Sequence, residues 1–75
     1  MRLNAIIEKD ENGYFASVPE LKGCFSQGDT FEETLQNIQE AAELYLDSLN
    51  DEEKKTFENK LFFIAPLNIP PYKTV

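Results

Sequence analysis

Leu3, Ala5 and Ile7 alternate with Arg2, Asn4, Ile6 and Glu8, a period of two that predicts a first strand over about residues 2–9 with one apolar face. The polar run Lys9-Asp10-Glu11-Asn12-Gly13 follows, and its Asn-Gly pair tolerates the positive φ angles of a tight hairpin. Tyr14, Ala16 and Val18 alternate with Phe15 and Ser17 in a second strand at 13–18, which Pro19 stops because it has no N–H for the ladder. After Glu20-Leu21-Lys22-Gly23, a third strand is expected at 24–28, ended by Gly28-Asp29.

The helix is the strongest signal. Thr30-Phe31-Glu32-Glu33 has the form of a capping box, in which the Thr30 hydroxyl accepts from the Glu33 N–H and the Glu33 carboxylate accepts from the Thr30 N–H. Phe31, Leu35, Ile38, Ala42, Tyr45 and Leu49 then recur at steps of 4, 3, 4, 3 and 4, a stripe expected to pack on the sheet. Glu33, Glu40 and Asp47 fall opposite, with Gln36 and Glu43 beside them. Asn50-Asp51-Glu52-Glu53 repeats a capping pattern and starts a second helical piece reaching about Asn59. Leu61-Phe62-Phe63-Ile64-Ala65 is continuously apolar and closed by Pro66, which fits a fourth strand at 61–65. The expected fold is therefore α+β, a three-stranded antiparallel meander, a long helix and a fourth strand in a β-β-β-α-β two-layer sandwich. A right-handed crossover would lay the last strand parallel to the first, in the order 3-2-1-4. Residues 1–65 form the expected domain, and residues 66–75, with three of the four prolines, an extended tail.

Composition narrows the function. Seventy-five residues, 41% hydrophobic and 28% charged, make one globular domain. A core of this size typically supplies only ~3–5 kcal/mol, so a staple, a metal or a partner is usually needed. Cys24 is alone, so no internal disulfide is available, and the absence of His removes a soft-ligand metal cluster. Seven basic against fourteen acidic residues give a net charge of −7, which repels nucleic-acid phosphates and anionic lipid, so direct nucleic-acid binding is not expected. The longest apolar run is far short of the ~20 residues of a membrane span, and no apolar signal-peptide segment opens the chain, so a cytoplasmic protein is expected.

Catalytic chemistry finds little purchase. Ser17, Ser26 and Ser48 lack a base nearby in sequence, and Cys24 reads as a small packed hydrophobe. A degenerate metal-dependent nuclease would have only Glu8, Asp10 and a helix acid as ligands, with neutral Asn4 where the first strand would need an acid. No catalytic residue, metal or cofactor is expected, and the chain reads as a non-enzyme. The distinctive feature is charge: between Gly23 and Glu53 there is no Lys or Arg, while nine acids occur. Such a one-signed face forgoes i, i+4 pairing and instead steers a basic partner, with Glu33, Glu40, Glu43 and Asp47 as the expected contacts. The apolar 61–65 segment at a sheet edge predicts a homodimer with Phe62 and Ile64 in the interface, unless the proline tail folds back to cover that edge.

The run Gly13-Tyr14-Phe15-Ala16-Ser17-Val18-Pro19-Glu20-Leu21-Lys22-Gly23-Cys24, then Ser26-Gln27-Gly28-Asp29-Thr30-Phe31-Glu32-Glu33 and a helix ending Glu43-Leu44-Tyr45-Leu46-Asp47, resembles the HicB-like antitoxin family over about residues 3 to 49. The resemblance implies a partial ribonuclease-H-like fold and a partner of HicA type, a small basic mRNA-cleaving toxin whose RNA-binding and active surface the antitoxin covers. Members of this kind usually carry a C-terminal DNA-binding segment. No basic helix follows here, so DNA autoregulation by this chain is not expected. An orphan regulatory or scaffold domain with no toxin is the alternative.

Overall fold

The computed structural model describes residues 2–71. Three antiparallel strands, β1 (Ile6–Asp10), β2 (Gly13–Ser17) and β3 (Phe25–Gly28), form a meander in the order β1-β2-β3, followed by α1 (Phe31–Asp47) and α2 (Asp51–Glu58). The first hairpin closes through Glu11 and Asn12, with Asp10 opposite Gly13. The Asp10 carboxylate accepts from the Asn12 N–H at 2.8 Å, and Gly13, not Asn12, takes the positive φ of +127°. The second connection is a compact loop. Val18 N–H donates to the Cys24 carbonyl at 3.1 Å, Leu21 N–H to Val18 and Cys24 N–H to Leu21, with Gly23 at φ +80° completing the turn.

The register sorts the side chains. Ile7 lies opposite Ala16, and Ala16 opposite Ser26, on the face covered by α1; Ile6, Glu8, Phe15, Ser17, Phe25 and Gln27 alternate onto the other face. The buried centre is Ala16, Val18, Leu21, Cys24 and Ile38, with Leu3, Ile7, Ala41, Ala42, Tyr45, Leu46 and Phe57 packed around it. Leu21 and Ile38 are almost completely enclosed, each contributing about 1.5–3 kcal/mol of burial.

The helix stripe holds from Ile38 through Ala42 and Tyr45, which face the core, but not in its first two turns. Thr34 and Ile38 are buried and Ala41 packs on the core, while Phe31 and Leu35 are 46% and 45% exposed. The cause is a close approach at the start of α1: a Cβ built on Gly28 would sit 2.6 Å from Thr34 Oγ1 and 3.0 Å from Thr34 N. Periodicity favours the most apolar arc, whereas contact requires the arc with the smallest residue at the crossing. The same approach alters the cap. Glu33 N–H donates to Thr30 Oγ1 at 3.0 Å, but the Glu33 side chain lies over Gly28 instead of completing the box. At α2 both halves of the box form, between Asn50 and Glu53.

Two expected strands are corrected. β1 starts at Ile6 rather than residue 2, because its partner ends at Ser17 and Val18 bonds to Cys24, leaving residues 2–5 beyond the ladder. Residues 61–65 form no strand: the three-stranded sheet lacks the expected fourth strand, and the order 3-2-1-4 and the ribonuclease-H-like arrangement are not completed. Leu61 and Phe63 are 83% and 86% exposed, so apolar character alone does not create a strand where no ladder partner lies alongside. Residues 66–71 are likewise neither helix nor strand, and the last four positions of the expected tail lie outside the described residues.

Gly28→Ala forces Cβ into Thr34 and is expected to cost about 1–3 kcal/mol by urea denaturation. Gly28→Ala combined with Thr34→Ala recovers part of that loss, since the nearest obstructing atom is the Thr34 hydroxyl.

Candidate functional site

Three surfaces are built on this frame. The first is the outward side of α1, where Glu33, Glu40, Glu43 and Asp47 are all exposed. Glu33 sits in the first turn, and its charge is held against the positive end of the helix dipole together with Glu32. Glu43 accepts from Gln39 Nε2 at 2.9 Å, which fixes one acid along the helix surface. Asp47 ends the helix, whose last turn contains no basic residue. The expected contact acids thus share one element and are exposed together.

The second surface is the uncovered face of the sheet. Phe15 and Phe25 stack in a tilted pair with ring centroids 5.6 Å apart, and Ile6 lies on the same face. All three are exposed. Strand alternation placed Phe15 and Phe25 on the side facing away from the helix, and a phenylalanine where the pattern asks for a polar residue is the sequence signal that marks this patch. Glu8 lies opposite Phe15 across the ladder, so the apolar patch is bordered by acid.

The third surface lies beside residues 3–5, which lead into β1. The helix packs mainly on β3 and β2 and only lightly on β1, so its apolar side overhangs the sheet there. A groove of about 390 Å³ results, lined by Leu3, Ala5, Leu35, Ile38, Ala42 and Leu46 among others. Beside it Glu20, although 6% exposed, accepts from the Asn4 backbone N–H at 3.0 and 3.2 Å and from Asn4 Nδ2 at 2.7 Å. This clamp holds residues 2–5 where the ladder no longer does. A smaller cavity of about 200 Å³ touches Leu3, Asn4, Glu20, Phe57 and Phe62. Phe62 therefore faces its own chain on one side and is 41% exposed, whereas Ile64 is 59% exposed. The structure does not bring Phe62 and Ile64 together with the helix acids.

Glu8 and Asp10 alternate onto the face of the sheet opposite α1, so they do not converge with a helix acid. Among the described residues no group of three His, Cys, Asp or Glu is placed to hold a metal, and no helix is long and apolar enough to cross a membrane. Cys24 is buried, and that burial pushes its thiol above the usual 9.0, which disfavours the reactive thiolate.

Residues 3–66 match the family described as HicB_like antitoxin of bacterial toxin-antitoxin system. A UPF0150 protein of Helicobacter pylori is 58% identical over 69 residues, covering 92% of this chain and 96% of that protein. A UPF0150 protein of Synechocystis is 51% identical over 65 residues, 85% of this chain and 81% of that one. An uncharacterized 14.9 kDa protein from the rep-hol intergenic region of Haemophilus phage HP1 is 40% identical over 68 residues, 89% of this chain and 50% of the phage protein. No solved structure matches.

Glu20→Ala leaves the Asn4 donors without their acceptor and is expected to cost about 1–3 kcal/mol in chemical denaturation. The raised Cys24 pKa has a definite sign. The unfolded thiol ionises first, so the unfolded state binds fewer protons and stability falls as pH rises through 9.0. Urea midpoints measured from pH 7 to 10 show this decline in the wild type and a shallower one in Cys24→Ala.

Proposed function

Because the chain belongs to the HicB-like antitoxin family, we propose that residues 1–65 form a binding domain that neutralises a small basic ribonuclease toxin of HicA type, in the cytoplasm and without catalysis of its own. The observation that carries this reading is the one-signed surface of α1, where Glu33, Glu40, Glu43 and Asp47 are exposed on a stretch, Gly23 to Glu53, that contains no Lys or Arg. A toxin that grips RNA presents a basic surface. An acidic helix attracts that surface over about a Debye length, ~8–10 Å at physiological salt, and speeds encounter by ~10–10³-fold. Covering the toxin's phosphate-binding side then blocks RNA by occupancy. The exposed Phe15 and Phe25 pair supplies apolar area that a charged helix lacks. The same reading includes a homodimer in which Phe62 and Ile64 contribute to the interface.

The combined Glu40→Lys, Glu43→Lys and Asp47→Lys variant is expected to slow association with a purified HicA-type toxin at least tenfold at low salt, to flatten the salt dependence of the on-rate, and to weaken inhibition of RNA cleavage. Unchanged on-rates remove the helix from the contact, and absence of binding by the wild-type protein favours the scaffold reading.

A further inference from the structure

Residues 61–71 carry no charged side chain, in a chain with fourteen acids and seven bases. Leu61, Phe63, Leu67 and Ile69 are each more than two-thirds exposed. The chain leaves α2 beside Leu3 and Asn4, where Phe57 and Phe62 line the small cavity, and continues outward as an arm without helix or strand. The molecule measures 51 × 29 × 18 Å with a radius of gyration of 15.3 Å, against about 11 Å for a compact chain of this length. Pro66, Pro70 and Pro71 stiffen the arm and oppose its folding back on itself.

The same chain displays the complement of this arm. β1 is an edge strand, and beside residues 3–5, which lead into it, the overhang of α1 borders the 390 Å³ groove, with Leu35 and Leu46 on one wall, Leu3 and Ala5 on the other, and Asn4, Gln39 and Glu43 among its polar liners. An unpaired edge offers backbone hydrogen bonds, and the groove offers an apolar seat. The arm is continuously apolar from Leu61 to Ala65, has Leu67 and Ile69 beyond Pro66, and brings no charge to bury. Its proline at position 66 is tolerated on an added edge strand, where one side of the backbone needs no ladder bond.

We propose that two copies exchange arms: residues 61–69 of each lie along the β1 edge of the other, with Phe63 seated in the groove beneath Leu35. The occupant is a second copy because arm and groove belong to one chain and the arm lies outside its own groove. Mutual exchange satisfies both copies and closes on a two-fold axis, leaving no open end for further addition. It also removes the uncharged apolar segment and the free edge from solvent together, which supplies the association a core of this size calls for. Phe62, which lines a cavity together with Phe57 and Leu3 of its own chain, marks the base from which the arm departs. The exchange rests on the homodimer named above and specifies its route, and Glu43 lines both the groove and the acidic helix face.

Sedimentation equilibrium of the full chain at micromolar concentration is expected to give twice 8.6 kDa, about 17 kDa. Phe63→Asp, at a fully solvated position, and Leu35→Asp, on the groove wall, each weaken the dimer at least tenfold, with the helical circular dichroism retained. An equal mixture of the two variants regains part of the dimer, because one interface then pairs an intact arm with an intact groove. A single 8.6 kDa species for the wild type overturns both exchange and homodimer. A dimer that neither substitution weakens, or variants that dissociate alone and stay apart when mixed, overturns the exchange and leaves the homodimer and the toxin reading standing.

Discussion

The crossing of Thr34 over Gly28 governs the rest of the molecule. No side chain fits between the end of β3 and the first turn of α1, so the helix begins almost on the sheet backbone. From that pivot it can lie only over β3 and β2, where Ile38 meets Ala16 and the loop residue Leu21 fills the remaining space. Small residues at the crossing bring the layers together, and larger ones further along hold them at their distance. The helix reaches past β1 without covering it, and the groove on that side follows from where the pivot was set.

Much of this was legible in the residues because the strongest patterns are local. Alternation marked the meander, Pro19 and Gly13 marked its turns, and the Thr30 cap marked the start of α1 within the residue that the structure uses. Facts set by contact between elements were not legible. Which residues of the first helical turns face the sheet depends on Gly28, six residues before Thr34 at the end of β3, and no count of apolar spacing contains that contact. The length of β1 depends on where β2 runs out, not on residues 2–5 themselves. Residues 61–65 show the limit most clearly, since apolar composition reports that a segment needs cover without reporting what supplies it.

The acid positions were legible for another reason: charge on an exposed helix face is readable from spacing once one buried position is known. Glu20 was not, because its role depends on Asn4 sixteen residues earlier. A carboxylate in a loop reads as solvent-facing, yet this one is enclosed and satisfied by two donors of one residue. It substitutes side-chain acceptors for the ladder that ends at Ile6, which keeps Leu3 on the core. The open sheet face is an intermediate case, since the aromatic residues were visible and only their pairing across two strands was not.

The distribution of charge along α1 carries one more consequence. Acids at the starts of α1 and α2 suit the helix dipoles, but Asp47 lies at the negative end of α1, whose last turn contains no basic residue. Negative charge with no basic residue in the last turn of α1 therefore gathers at the junction between the two helices. By linkage, any partner that binds the folded form more tightly than the unfolded raises the free energy of unfolding. For such a partner, occupancy is converted into lifetime, because a bound chain opens less often than a free one.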